Sequence, residues 1–143
     1  MGKKRIAAKG ASAEDAFKQR TRSKLPKKKV DSVRYYVHAT FNNTKGLLTD
    51  PKGNALVASS AGSLGFKGAK KGTPFAAAKV GELLGETAQV MGVKTARIIV
   101  KGAGAGRDSA LRAFSSKGIN IISISDETPI PHNGPRKPKS RRV

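Results

Sequence analysis

Regular alternation of apolar and polar side chains begins at residue 33. In Val33-Arg34-Tyr35-Tyr36-Val37-His38-Ala39-Thr40 the pattern puts Val33, Tyr35, Val37 and Ala39 on one face of a strand and His38 on the other. Phe41-Asn42-Asn43-Thr44 follows with turn chemistry, because Asn tolerates left-handed backbone and its amide can replace a backbone partner. A second strand is expected over 45–49, a tight turn at Asp50-Pro51-Lys52-Gly53 and a third strand over 55–60, which together make an antiparallel meander. The stretch from Gly62 to Gly72 holds four glycines with Lys67, Lys70 and Lys71 among them, and is expected to be a basic loop without regular structure.

The period then lengthens to that of a helix. Thr73 can cap it and Pro74 suits the first helical position, where a missing N–H costs nothing. Val80, Leu83, Leu84, Thr87 and Met91 recur on one stripe, and Gly92 ends the helix. Gly81 and Gly85, four apart, predict close approach of backbone to backbone. Beyond lie a β-branched strand from Thr95 to Lys101, a flexible turn from Gly102 to Gly106, a second helix over 108–117 closed by Gly118, and a strand from Ile119 to Ser125 apolar on both faces. Strands that alternate with helices imply parallel pairing with helices packed over the sheet. The fold class is therefore α/β, in the order β-β-β-α-β-α-β. A single domain over 31–125 is expected, between a basic tail at 1–30 and an extended basic tail at 126–143.

Charge decides the kind of partner. The chain carries 29 Lys plus Arg against 9 Asp plus Glu, a net +20 on 143 residues. The two tails and the body are each basic, at +9, +3 and +8, so the partner expected is a polyanion, and nucleic acid is the commonest. Within the first tail, Ser12-Ala13-Glu14-Asp15 has capping-box spacing and could open a helix from Ala13 to Arg22, ordered by binding. The absence of Cys excludes disulfides and thiolate zinc sites, and two His cannot build a metal site alone. No apolar run approaches the roughly 18 residues of a membrane span, and the N-terminus has no apolar signal region. No membrane, cofactor or small-molecule substrate is expected.

Catalytic constellations fail on inspection. The third glycine of a dinucleotide loop falls on Arg107, and no P-loop string occurs. Glycines at 102, 104 and 106, a helix N-terminus and Arg107 would suit a phosphate, the lesser reading being that the same glycines merely permit a tight strand-to-helix turn. Glu82 and Glu86 share a solvated helix face, and Asp108 fits a helix-dipole or capping role. His38 fits a structural or RNA-surface position. With aromatics at 5% and no Trp, base stacking cannot dominate binding, so phosphate contacts and shape must.

The C-terminal run Asp126-Glu127-Thr128-Pro129-Ile130-Pro131-His132-Asn133-Gly134-Pro135-Arg136-Lys137-Pro138-Lys139-Ser140-Arg141-Arg142-Val143 is an extended, Pro-stiffened cationic thread. It resembles the tail of the small ribosomal subunit protein eleven family. Three further strings resemble that family in order: Ala39-Thr40-Phe41-Asn42-Asn43-Thr44, Gly65-Phe66-Lys67-Gly68 through Thr73-Pro74-Phe75-Ala76-Ala77, and Lys101-Gly102 through Gly104-Ala105-Gly106-Arg107. Pro135, Lys137, Ala103 and Gly72 depart from the usual bacterial pattern. The resemblance implies a three-layer α/β/α fold with a mixed sheet, ribonuclease-H-like without the catalytic carboxylates, and a structural, non-enzymatic role in the cytoplasmic ribosome or an organellar one. It implies small-subunit ribosomal RNA as partner, in the platform near the messenger RNA exit path, beside small-subunit proteins seven and eighteen. Carried over by position, the RNA-facing residues are Asn42, Asn43, Lys67, Lys70, Lys71, Gly104, Arg107, His132, Asn133, Arg136 and Lys137, with Lys139, Arg141 and Arg142 added from the thread. The competing readings are a general architectural nucleic-acid binder and a metal-dependent nuclease.

Overall fold

The computed structural model describes residues 29–143 together with Asp15. The alternating segment forms β1 (Ser32–Ala39), antiparallel to β2 (Thr44–Thr49), which pairs antiparallel with β3 (Ala55–Ser60). A short 3-10 helix (Gly68–Gly72) leads into α1 (Pro74–Val90), followed by β4 (Thr95–Lys101), α2 (Arg107–Ser115) and β5 (Asn120–Asp126). β4 runs parallel to both β1 and β5, so the mixed sheet has the order β3-β2-β1-β4-β5. The expected helix from Ala13 to Arg22 lies outside the described residues except for Asp15, which is helical and exposed.

Local chemistry accounts for the elements. Val33, Tyr35, Val37 and Ala39 are all buried, as their period of two requires. Thr73 caps α1 by accepting a hydrogen bond from the Ala76 N–H at 3.3 Å, and Gly92 leaves the helix at φ 79°. Asp50 closes the β2–β3 turn by accepting from the Asn54 backbone at 2.9 Å and its side-chain amide at 2.8 Å. Those bonds, the side-chain one foremost, hold the Asp50 carboxyl below its ordinary pKa.

Both helices cover the same face of the sheet. Tyr35 stacks on Phe114 of α2 with ring centroids 4.4 Å apart. Gly46, paired with Val37, lies beneath Val80 and Leu84 of α1. Full burial of an apolar side chain of Phe size contributes about 1.5 to 3 kcal/mol, so the stack ties α2 firmly to β1. The helices meet at the two glycines whose spacing predicted it: a methyl group on Gly81 would collide with the Ala110 carbonyl oxygen, and one on Gly85 would lie 2.7 Å from Lys117 Cγ. Lys117 also reaches back to Glu86 at 3.2 Å, while Lys79 pairs with Glu82 at 3.1 Å. The architecture is that of a three-layer α/β fold in which the described residues supply the sheet and one helical layer. The opposite face, with Arg34, Tyr36, His38 and Arg97, is covered by no described helix, and β1 on that face carries no carboxylate.

Two expectations change. Gly62 to Gly72 is not wholly irregular: its second half is the 3-10 helix, whose last turn is closed by the Thr73 hydroxyl donating to the Lys70 carbonyl at 2.7 Å. β5, read as apolar on both faces, is an edge strand with Ile122 and Ile124 more than half exposed. A register shift between Ala96 and Arg97 accompanies it, and among the described residues no strand or helix lies beyond it to bury those side chains.

Candidate nucleic-acid interface

Segments far apart in sequence meet at the carboxyl ends of β1 and β4. The turn after β1 is rigid, since Thr40 N–H donates to Asn43 O at 2.8 Å and Asn43 N–H donates to Thr40 Oγ1 at 3.1 Å. Three glycines from elsewhere press on it: methyl groups on Gly72, Gly104 and Gly106 would strike Phe41 O, Thr40 O and Thr44 Oγ1 respectively. The Gly104 N–H donates to Ala39 O at 2.9 Å. Gly106 stands before α2 and a methyl there would also sit 2.6 Å from Ala77 Cβ in the first turn of α1, so both helix N-termini open on this end of the sheet. Their dipoles favour anions there.

The sequence-derived residues fall into three groups. Asn42 is exposed on the turn and Asn43 is half-buried. Lys67, Lys70 and Lys71 border the 3-10 helix whose Gly72 abuts Phe41; Lys67 and Lys70 are exposed and Lys71 half-buried. His132, Asn133, Arg136, Lys137, Lys139, Arg141 and Arg142 are all exposed on a segment with no helix or strand, in which Asn133 takes φ 51°. The Asn turn and the lysine loop are thus brought together at one corner. The thread is joined to the same end only through its root.

Gly104 and Arg107 sit differently from the phosphate cradle their pattern suggested. Gly104 is buried with its N–H engaged, and the Gly102 N–H donates to Thr128 Oγ1 at 3.2 Å. The Arg107 guanidinium donates to Gly102 O, Thr128 Oγ1 and the Asp126 carboxylate, with which it forms an ion pair. Asp126 accepts in addition from the Thr128 backbone at 2.9 Å and from its hydroxyl. Glu127 N–H donates to Val100 O at 2.9 Å, and Glu127 pairs with Lys101 at 3.8 Å. These contacts form a clasp that fastens the root of the thread to the glycine turn. The Thr128 hydroxyl first, and then Arg107, pull the Asp126 carboxyl down to about 2.

Sequence reading missed this clasp and two other features. Asp-x-Thr is an Asx-turn signature, so the Asp126–Thr128 bond was detectable, whereas Arg107, 19 residues earlier in the chain, was not. Phe66 and Phe75 form an edge-to-face pair at 6.0 Å beside the lysines. A cleft of about 500 Å³ on the open sheet face is lined by Tyr36, His38, Lys45, Leu47 and Ala58. Among the described residues no three His, Asp or Glu side chains gather as a metal site, and no helix is long and apolar enough to cross a membrane.

The family model for ribosomal protein S11 matches residues 34–142, which takes in the sheet, both helices and the thread. The chain belongs to the ribosomal protein S11 family. As a member it is a structural protein of the small ribosomal subunit that binds ribosomal RNA, and its place is in the ribosome.

The clasp gives this family member a checkable pH signature. Because the folded pKa of Asp126 lies below its ordinary 3.8, the interaction is complete above that value and is lost as pH falls through about 2. Carboxyl NMR titration should therefore place Asp126 near 2, and Arg107→Ala should move it back toward the ordinary range. RNA binding supplies a test of sign. Asp126→Asn removes a negative charge, so electrostatics alone requires tighter binding, whereas a clasp that pre-aims the thread requires binding weakened severalfold.

Proposed function

We propose that the protein is built into folded small-subunit ribosomal RNA, that it grips phosphates with the Asn42–Asn43 turn, the Lys67–Lys71 loop and the C-terminal thread from His132 to Arg142, and that the glycine turn at Gly104 and Arg107 faces the same RNA while holding the root of the thread. The observation that carries this reading is the convergence of three of these segments, with the root of the fourth, on one end of a rigid sheet. In the same reading the body at 31–125 is an anchor between two cationic tails, at 1–30 and 126–143. The location is the platform near the messenger RNA exit path, with small-subunit proteins seven and eighteen as neighbours, in cytoplasmic ribosomes. Retention on the small subunit through a high-salt wash would separate this assembly from loose adhesion of a cationic chain.

The lysine loop provides the residue-level test. Lys67→Gln, Lys70→Gln and Lys71→Gln together should lower the slope of log affinity against log salt by about 2 to 3, at roughly 0.7 to 0.9 per charge. An unchanged slope would place the loop away from phosphate. Neither competing reading gains support. A carboxylate-metal nuclease needs converging acids, but Asp50 lies past the Thr49 end of β2, opposite Arg34 near the start of β1, while Asp108 lies in the first turn of α2 beyond its finish. A general architectural binder would hold DNA as firmly as RNA, which competition binding decides.

A further inference from the structure

We infer that Phe41 and Phe75 form a stacking platform for unpaired nucleobases of the bound RNA. This rests on the reading that the lysine corner faces RNA. A basic domain has little reason to keep large apolar rings in water, yet Phe41 is 80% exposed and Phe75 64% exposed. Both are held in place. Phe41 stands in the turn locked by the Thr40–Asn43 hydrogen bonds, with its carbonyl against Gly72. Phe75 occupies the first turn of α1, braced edge-to-face at 6.0 Å by the half-buried Phe66, with the Lys79 ammonium 5.8 Å from its ring centroid.

Charge complementarity selects the occupant. Lys67, Lys70, Lys71 and Lys79 lie on the segment that carries Phe66 and Phe75 and whose Gly72 abuts Phe41, and the only acidic side chain from Phe66 through the first three turns of α1 is Glu82, already paired with Lys79. Exposed rings among cations are how proteins hold single strands: cations track phosphates while bases stack on the rings without regard to sequence. An apolar protein partner would leave those lysines facing nothing. A paired helix offers the rings no open base face, so the target is a loop, bulge or splayed base. Aromatics are few in the chain, and stacking is here a local selector added to phosphate binding.

The experiment uses the full chain with two RNA probes: a hairpin whose unpaired loop carries 2-aminopurine, and a fully paired duplex of equal phosphate number. The wild type should prefer the hairpin and change the loop fluorescence. Phe75→Ala and Phe41→Ala should each weaken hairpin binding about 5- to 100-fold. Duplex binding and the salt slope should stay as they were, because no charge is removed, and Phe75→Trp should restore the hairpin preference. Circular dichroism identifies any variant that loses its fold, and Phe75→Tyr then serves as the retained-ring comparison. Wild-type preference with unchanged alanine variants, or equal losses on both probes by folded variants, would overturn the platform. A wild type that binds neither RNA would instead overturn the RNA-facing reading of this corner.

Discussion

Gly81→Ala is expected to destabilise the fold by about 2 kcal/mol or more, which lowers Tm by about 10 °C for a body of this size. On an isolated helix the same change would stabilise, since Ala is favoured over Gly by about 1 kcal/mol in a helix interior. Packing reverses the sign. The new methyl group meets the Ala110 carbonyl oxygen, a backbone atom that cannot rotate away, and lies 3.1 Å from Ala113 Cβ as well. The helices must separate, which pulls Phe114 off Tyr35 beneath them. Gly85→Ala should cost less, because its obstacle is the flexible Lys117 side chain. Gly62→Ala is the control: its nearest neighbour is Lys71 Cδ at 3.7 Å, so Tm should hold. Thermal melts of the three variants settle the order, and a Gly81→Ala protein as stable as the wild type would mean that the helices are not locked by this contact.

The Gly81 contact was legible in sequence because two glycines four apart on an apolar stripe have few other uses. The meander was legible for a similar reason: alternation and the Asn42-Asn43 and Asp50-to-Gly53 turns agree on one local answer. What escaped was decided between segments. Gly68-Ala69-Lys70-Lys71-Gly72 has no apolar period, and its 3-10 turn depends on the Thr73 cap beside it. Ile119 to Ser125 read as a strand apolar on both faces, and Ile119 is buried, but Ile122 and Ile124 are exposed because among the described residues β5 has no neighbour on its far side. The candidate interface divides in the same way. Basic and Asn residues announced themselves by composition. The clasp joins Arg107 to residues about twenty positions away, and the exposure of Phe75 follows from its place at the corner of α1, so neither could be read from a local window.

Deletion of residues 131–143 should weaken RNA binding more than any single substitution while leaving the melting temperature unchanged. The segment is exposed throughout and has no helix or strand, so the body loses no packing, and the clasp at Thr128 remains. The loss is electrostatic. Arg136, Lys137, Lys139, Arg141 and Arg142 leave together, and if each neutralises a phosphate the salt slope falls by about 3.5 to 4.5. Charge count alone does not make a thread, so a second variant separates shape from charge. Replacing Pro131, Pro135 and Pro138 by Gly keeps every cation but removes the extended bias, and the freed chain must then be ordered on binding. A stiff thread that enters an RNA crevice predicts reduced affinity at an unchanged slope for this variant. Affinity equal to the wild type would show that the tail acts as a diffuse cationic cloud. A deletion that leaves the slope unchanged would remove the tail from the phosphate interface altogether.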